Sequence, residues 1–216
     1  MAIEGFDHIL ALGRDPIRAE SPAGESARYD PEFEQLTAQM DRVNTPGGEP
    51  PDWPTVVRLA STILKDRSKD LLAMSYLVVG LFETQGYAGL AAGLTGCREL
   101  LATFWEPMFP KLKPPAARFN AVQYLSDKLL PLVELKGGTA RKNPGAGDKQ
   151  AVHDAADAIK ALDETVSALF TGQPETPNLL PLSRALQALR DKVGPLHDPT
   201  PVAEPASTGD GSAPAA

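Results

Sequence analysis

From Leu71 to Phe82 the chain carries no charged side chain. Its apolar residues, Leu71, Leu72, Met74, Leu77, Val78, Val79, Leu81 and Phe82, fall on every side of a helical wheel, so this helix must be covered by neighbours all round. That predicts a central post with the other elements packed about it. Beyond Gly86, the residues Leu90, Leu94, Cys97, Leu101, Phe104 and Met108 recur at steps of four and three. This second helix is one-sided and can lie back against the first. The pair reads as an αα-hairpin. Ser68 is placed to cap the first helix, with Asp70 in its first turn, and Pro107 and Pro110 stop the second.

The remaining segments read as further helices separated by proline and glycine. Residues 3–12 suit a short helix using Ile3, Phe6, Ile9 and Leu10, ended by Gly13 and Pro16. Pro22 and Gly24 fit a turn, and Asp30 followed by Pro31 is an N-cap with proline at the first helical position. Phe33, Leu36, Met40 and Val43 then share a face. After a second loop Asp52 precedes a face of Trp53, Val56, Ala60, Ile63 and Leu64. Phe119, Val122, Leu125, Leu129 and Leu132 form the next seam, a glycine-rich basic loop follows, and Asp148 starts a long helix through Leu169. Leu179, Leu182, Leu186, Leu189 and Val193 keep the last seam, which is too short for a coiled coil. No run alternates with period two long enough to be a strand. The expected fold is all-α: a single antiparallel helical bundle of about seven helices with a disordered Pro/Ala-rich C-terminal tail. The expected division is a lead-in at 1–20, the helical domain at 21–193 and a flexible tail or linker at 194–216.

Charge narrows the partners. A formal net charge of −7 over 216 residues argues against nucleic acid, which needs a basic footprint. The mean conceals a division: residues 1–60 hold eleven acids and five bases, whereas 111–149 holds eight bases and three acids. One cysteine excludes an internal disulfide and fits a reducing compartment. The longest uncharged run falls well short of the roughly twenty residues a membrane helix needs. The N-terminus lacks the basic start and cleavage site of a signal peptide. The expectation is a cytoplasmic protein without direct membrane insertion.

Reactive chemistry has no visible home. His8, His153 and His197 are far apart and in no metal-ligand spacing, so no metal is expected. Cys97 sits in an apolar seam, where a thiol is buried and inert rather than nucleophilic. Asp30, Glu32 and Glu34 are the acids a helix N-terminus favours, not a catalytic pair. The glycine clusters have neither phosphate-loop order nor a preceding strand, so no cofactor is expected. Catalytic residues are expected to be none.

Certain words in order are more informative. Ser21-Pro-Ala-Gly-Glu, Arg28-Tyr-Asp-Pro-Glu-Phe33, Trp53 with Val56, Ser68-Lys-Asp-Leu71, Gly89-Leu-Ala-Ala-Gly-Leu94, Phe104-Trp105 with Pro110, and Arg118 to Leu125 together resemble the ImpA N-terminal domain of the type VI secretion TssA family. The resemblance implies a non-catalytic assembly or adaptor role, through contacts with baseplate, membrane-complex, tube or sheath proteins. It singles out Pro22, Gly24, Tyr29, Asp30, Pro31, Phe33, Trp53, Asp70, Leu71, Trp105 and Arg118 as structural or interaction residues. Tyr29 and Phe33 are expected to pack inward while Asp30 caps. Family members usually continue into ring-forming C-terminal regions, so a chain with this ending is expected to be a fragment or a short member, monomeric or weakly dimeric. The basic stretch offers Lys111, Lys113, Arg141 and Lys142 as a docking face. Two readings compete with the adaptor: a helical enzyme with a nonstandard pocket, and a generic helical interaction domain unrelated to secretion.

Overall fold

A computed structural model of the protein describes residues 5–44, 47–114, 116–138 and 146–196. At its centre stands α4 (Leu71–Phe104), interrupted at Gly86, whose φ of 62° lies in the left-handed region that glycine enters without strain. The two arms fold back on each other, as the periodicity predicts. A Cβ on Gly93 would stand 3.1 Å from the Val78 Cα, and one on Gly89 only 2.3 Å from the Leu81 carbonyl oxygen. Small residues on one arm thus let the other approach at backbone distance. The uncharged stretch is buried on all sides except at the half-buried Leu72.

Around this hairpin lie α1 (Asp7–Arg14), α2 (Pro31–Asp41), α3 (Trp53–Asp66), α5 (Ala116–Gly138), α6 (Ala146–Leu169) and α7 (Leu180–Val193). The hairpin is one post with many neighbours: α1, α3, α5 and α6 all touch α4, and α6 covers the broadest face. α7 rests on α5 and α6, and α2 on α3. The seams foreseen from sequence are the buried ones. Val56, Ala60, Ile63 and Leu64 of α3, Val122, Leu125 and Leu129 of α5, and Ile159, Leu162 and Val166 of α6 all enter one core. Among the described residues, seven α-helices and one short 3-10 helix are present, with two isolated backbone bridges in place of any sheet.

Two expectations need correction. Gly13 does not end the first helix but lies within it, because α1 crosses α4 there: a Cβ on Gly13 would fall 2.3 Å from the Gly96 carbonyl oxygen. α1 therefore joins the core through Ile9 and Leu12. Ser68 does not cap α4; Asp70 does, its Oδ1 accepting from the Leu72 and Ala73 amides at 2.9 and 3.1 Å. The Leu179–Val193 seam is used inside the molecule against α5 and α6, with Leu182 and Leu186 fully buried. The expected tail lies outside the described residues from 197 onward.

Candidate functional site

The segment just before α4 is where distant parts of the chain meet. The Glu25 amide donates to the Arg67 carbonyl at 3.1 Å and the Lys69 amide to the Ala23 carbonyl at 2.9 Å. On the other side the Phe109 amide donates to Lys69 O at 2.8 Å and the Leu71 amide to Phe109 O at 2.7 Å. Residues 67–71 are thus a splice between the lead-in turn and the chain leaving α4. Gly24 makes this possible: its φ is +69°, and a Cβ would lie 2.0 Å from the Arg67 carbonyl oxygen. Pro22 is exposed at the start of the same turn, its carbonyl accepting from the Ile17 amide at 2.9 Å.

Three charged side chains are buried at the splice, each serving helix ends. Lys69, 1% exposed, donates from Nζ to the carbonyls of Leu12 and Leu64, both at 2.8 Å, near the C-termini of α1 and α3. Burial pushes its pKa down to about 8, with Asp15 opposing the shift. Asp70 caps α4; burial raises its pKa, while the Arg28 guanidinium, 3.6 Å away, pulls it back. Arg118, fully buried, gathers the carbonyls that follow α4: Nε bonds Pro110 O at 2.7 Å, one terminal nitrogen bonds Trp105 O, and the other bonds Met108 O at 3.0 Å. Its guanidinium also lies 4.6 Å from the Trp105 ring centroid. Burial lowers its pKa to about 10, so it stays charged at neutral pH. Arg118, singled out from the family words as a structural or interaction residue, is a clamp on these carbonyls. The sequence signal was available: Pro107 and Pro110 end a helix without supplying amide donors, so its last carbonyls need another partner.

The segment 28–33 also departs from expectation. Phe33 is buried, but Tyr29 points outward and is 91% exposed. The Ala27 side chain takes the inward place, and the Asp30 amide donates to the Ala27 carbonyl at 2.9 Å, so the turn leaves Tyr29 on its outer side. Asp30 holds the N-cap position before Pro31, yet its side chain makes no capping bond. Trp53 opens α3, partly buried against the core, and Trp105 meets Phe170 edge-on at 5.3 Å. Lys111 and Lys113 are exposed near the start of α5, whereas Lys136 pairs with Glu83 at 3.0 Å near its end. With α5 about 33 Å long at 1.5 Å per residue, Lys111 and Lys113 on one side and Lys136 on the other lie near opposite ends of that helix. Arg141 and Lys142 lie outside the described residues. Between Tyr29 and the chain leaving α4 runs a groove of about 580 Å³, lined by Arg28, Tyr29, Phe109, Pro110, Lys111 and Ala117.

A second cleft, about 620 Å³, opens between α1 and α3, with His8, Asp15, Lys65, Asp66 and Lys69 among its lining. A lysine of lowered pKa in a cleft is a familiar mark of acid-base chemistry. Here its two hydrogen bonds to helix-end carbonyls account for it as a bolt between α1 and α3. The Cys97 thiol is fully enclosed and pushed up to about 12, far from the reactive range. Among the described residues, no three His, Cys, Asp or Glu side chains are grouped to hold a metal, and no helix is long and apolar enough to cross a membrane.

The geometry defines a helical domain whose buried charges fasten helix ends and whose described surface carries the two grooves. Residues 14–127 match the family described as ImpA, N-terminal, type VI secretion system, and the chain belongs to that family. It is similar to the type VI secretion system component TssA1 of Pseudomonas aeruginosa, at 36% identity over 131 residues covering 54% of this chain. The match spans 38% of that relative's length. In fold it resembles the N-terminal domain, including the conserved ImpA_N region, of TssA from Burkholderia cenocepacia. That likeness has a TM-score of 0.66 and 19% identity, and covers 89% of this chain and 93% of the other.

Proposed function

We propose that this chain is a non-catalytic assembly domain of a type VI secretion system, acting in the cytoplasm as an adaptor for baseplate, membrane-complex, tube or sheath proteins. The observation that carries the reading is that several of the family's sequence words meet at one splice, where Lys69, Asp70 and Arg118 are buried and bonded to backbone groups at helix ends. Gly24, Lys69, Asp70, Trp105 and Arg118 hold the chain in shape. Such a frame suits a domain that presents surfaces. The helical domain at 21–193, together with α1, is its rigid body in this proposal, and Lys111 and Lys113 are the bases of the candidate docking face that the structure describes.

The test is retention of each purified secretion component of the same organism on the immobilised chain, followed over a salt series. Retention of at least one component, weakened by reversing Lys111 and Lys113 to glutamate, is the expected outcome. If no component is retained at any ionic strength, the adaptor reading is wrong.

A further inference from the structure

The groove beside Tyr29 is built unlike an accidental surface depression. Both its walls are fastened to the same splice: the 23–27 turn through the Ala23 and Glu25 backbone bonds, and Phe109 through its two bonds to residues 69 and 71. Pro110 is held in turn by Arg118 Nε at 2.7 Å. A large aromatic ring exposed over 91% of its surface stands on the rim of one rigid wall. Rigid aromatic side chains offer contact area with little entropy left to lose, which is why they dominate binding hot spots.

The charge of the groove is one-sided. Its charged lining residues are Arg28 and Lys111, and no acidic side chain lines it. Arg28 is 40% exposed at its side chain, and its Nε faces the buried Asp70 at 3.6 Å, so the guanidinium is steadied from below. Lys111 Nζ donates to Pro107 O at 2.9 Å and lies 4.1 Å from the Phe109 ring centroid. Each cation is thus oriented by the protein and has N–H groups left over. The rest of the lining is Phe109, Pro110 and Ala117, which are apolar, the rim residue Tyr29 and the small polar Ser26.

We infer that this groove receives an extended acidic segment of a partner protein, whose carboxylates meet Arg28 and Lys111 while an apolar side chain between them lies against Tyr29, Phe109 and Pro110. The inference deepens the adaptor reading and rests on it for the partner's identity, but the groove's chemistry can be probed alone. A random twelve-residue phage-displayed library selected on the full chain is expected to yield peptides rich in Asp and Glu next to an apolar residue. Tyr29→Ala is expected to weaken the selected peptides at least about tenfold, the effect of losing one hot-spot side chain. Lys111→Glu is expected to weaken them and to flatten the salt dependence of association. Both side chains are exposed, so the circular dichroism spectrum and melting temperature of each variant should match wild type, which separates lost binding from lost fold.

Selection of no acidic peptide, or of acidic peptides indifferent to both substitutions, overturns the inference. Retention of a secretion component undiminished by Tyr29→Ala and Lys111→Glu also overturns it, while the adaptor reading stands. Groove-dependent acidic peptides without any retained secretion component uphold the groove and sink the adaptor reading.

Discussion

Lys69 shows what a single buried charge does in this protein. It bridges Leu12 O and Leu64 O, so losing it would remove the donor that both carbonyls share. Its folded-state pKa, about 8, lies below the ordinary value of 10.5, so between these values the unfolded chain binds more protons. Stability from this residue therefore rises with pH across that window, and the cost of burying the cation is fully present below about pH 8. Lys69→Met should be less stable than wild type throughout, and the gap should widen from pH 7 to 9.5 in denaturant titrations. A gap constant with pH would mean that the site stays hydrated. Arg118 gives the steeper case, because a lysine cannot reproduce a fork that reaches several carbonyls. Arg118→Lys should cost about 2 kcal/mol or more in urea unfolding. The Lys69 role was not legible in the sequence, and for Arg118 the family words and the prolines after α4 marked the residue without naming the carbonyls it would hold. Asp30 errs the other way: it looks like a cap, yet with no capping bond its replacement by alanine should stay within about 0.5 kcal/mol.

At the level of elements, the sequence was most informative where apolar residues alone decide the outcome. The α3, α5 and α6 seams and the hairpin about Gly86 follow from periodicity and a missing side chain, both local signals. The splice depends on backbone bonds between segments far apart in sequence, and no local pattern announces those. Capping fell between the two: Ser68 has the right type and place, but its backbone is drawn into the bridge with Gly24, so Asp70 serves instead. The cap needs one oxygen acceptor, Oδ1, which takes the Leu72 and Ala73 amides and which an asparagine side chain also has. Asp70→Asn should keep the cap and lose little, whereas Asp70→Ala should lose about 0.5–2 kcal/mol in thermal or chemical melts. Equal losses from the two would mean that the ion pair with Arg28, not the cap, is what Asp70 supplies. The groove was half legible. Of its two bases only Lys111 was named beforehand, and Tyr29 was expected indoors, because nothing in an Arg-Tyr-Asp-Pro turn says which of Ala27 and Tyr29 will face the core.

Across the whole molecule, the family match stops at residue 127, within α5, yet the broadest cover on the central hairpin comes from α6 beyond it. Ile159, Leu162 and Val166 are fully buried there, and α7 adds Leu182 and Leu186. Each large aliphatic side chain returned to water forfeits about 1.5–3 kcal/mol, so five of them rival the entire 5–15 kcal/mol by which domains of this kind are stable. The matched region is then not a folding unit by itself, even though it contains every residue of the splice and the groove. A fragment ending at residue 138 should keep helical circular dichroism, bind a hydrophobic dye and melt without a cooperative transition. The chain carried through Leu196 should melt in one cooperative step. A cooperative transition in the shorter fragment, at the melting temperature of the longer one, would instead make α6 and α7 a separate layer laid over a finished core, and the division of the chain at 21–193 would have to be redrawn.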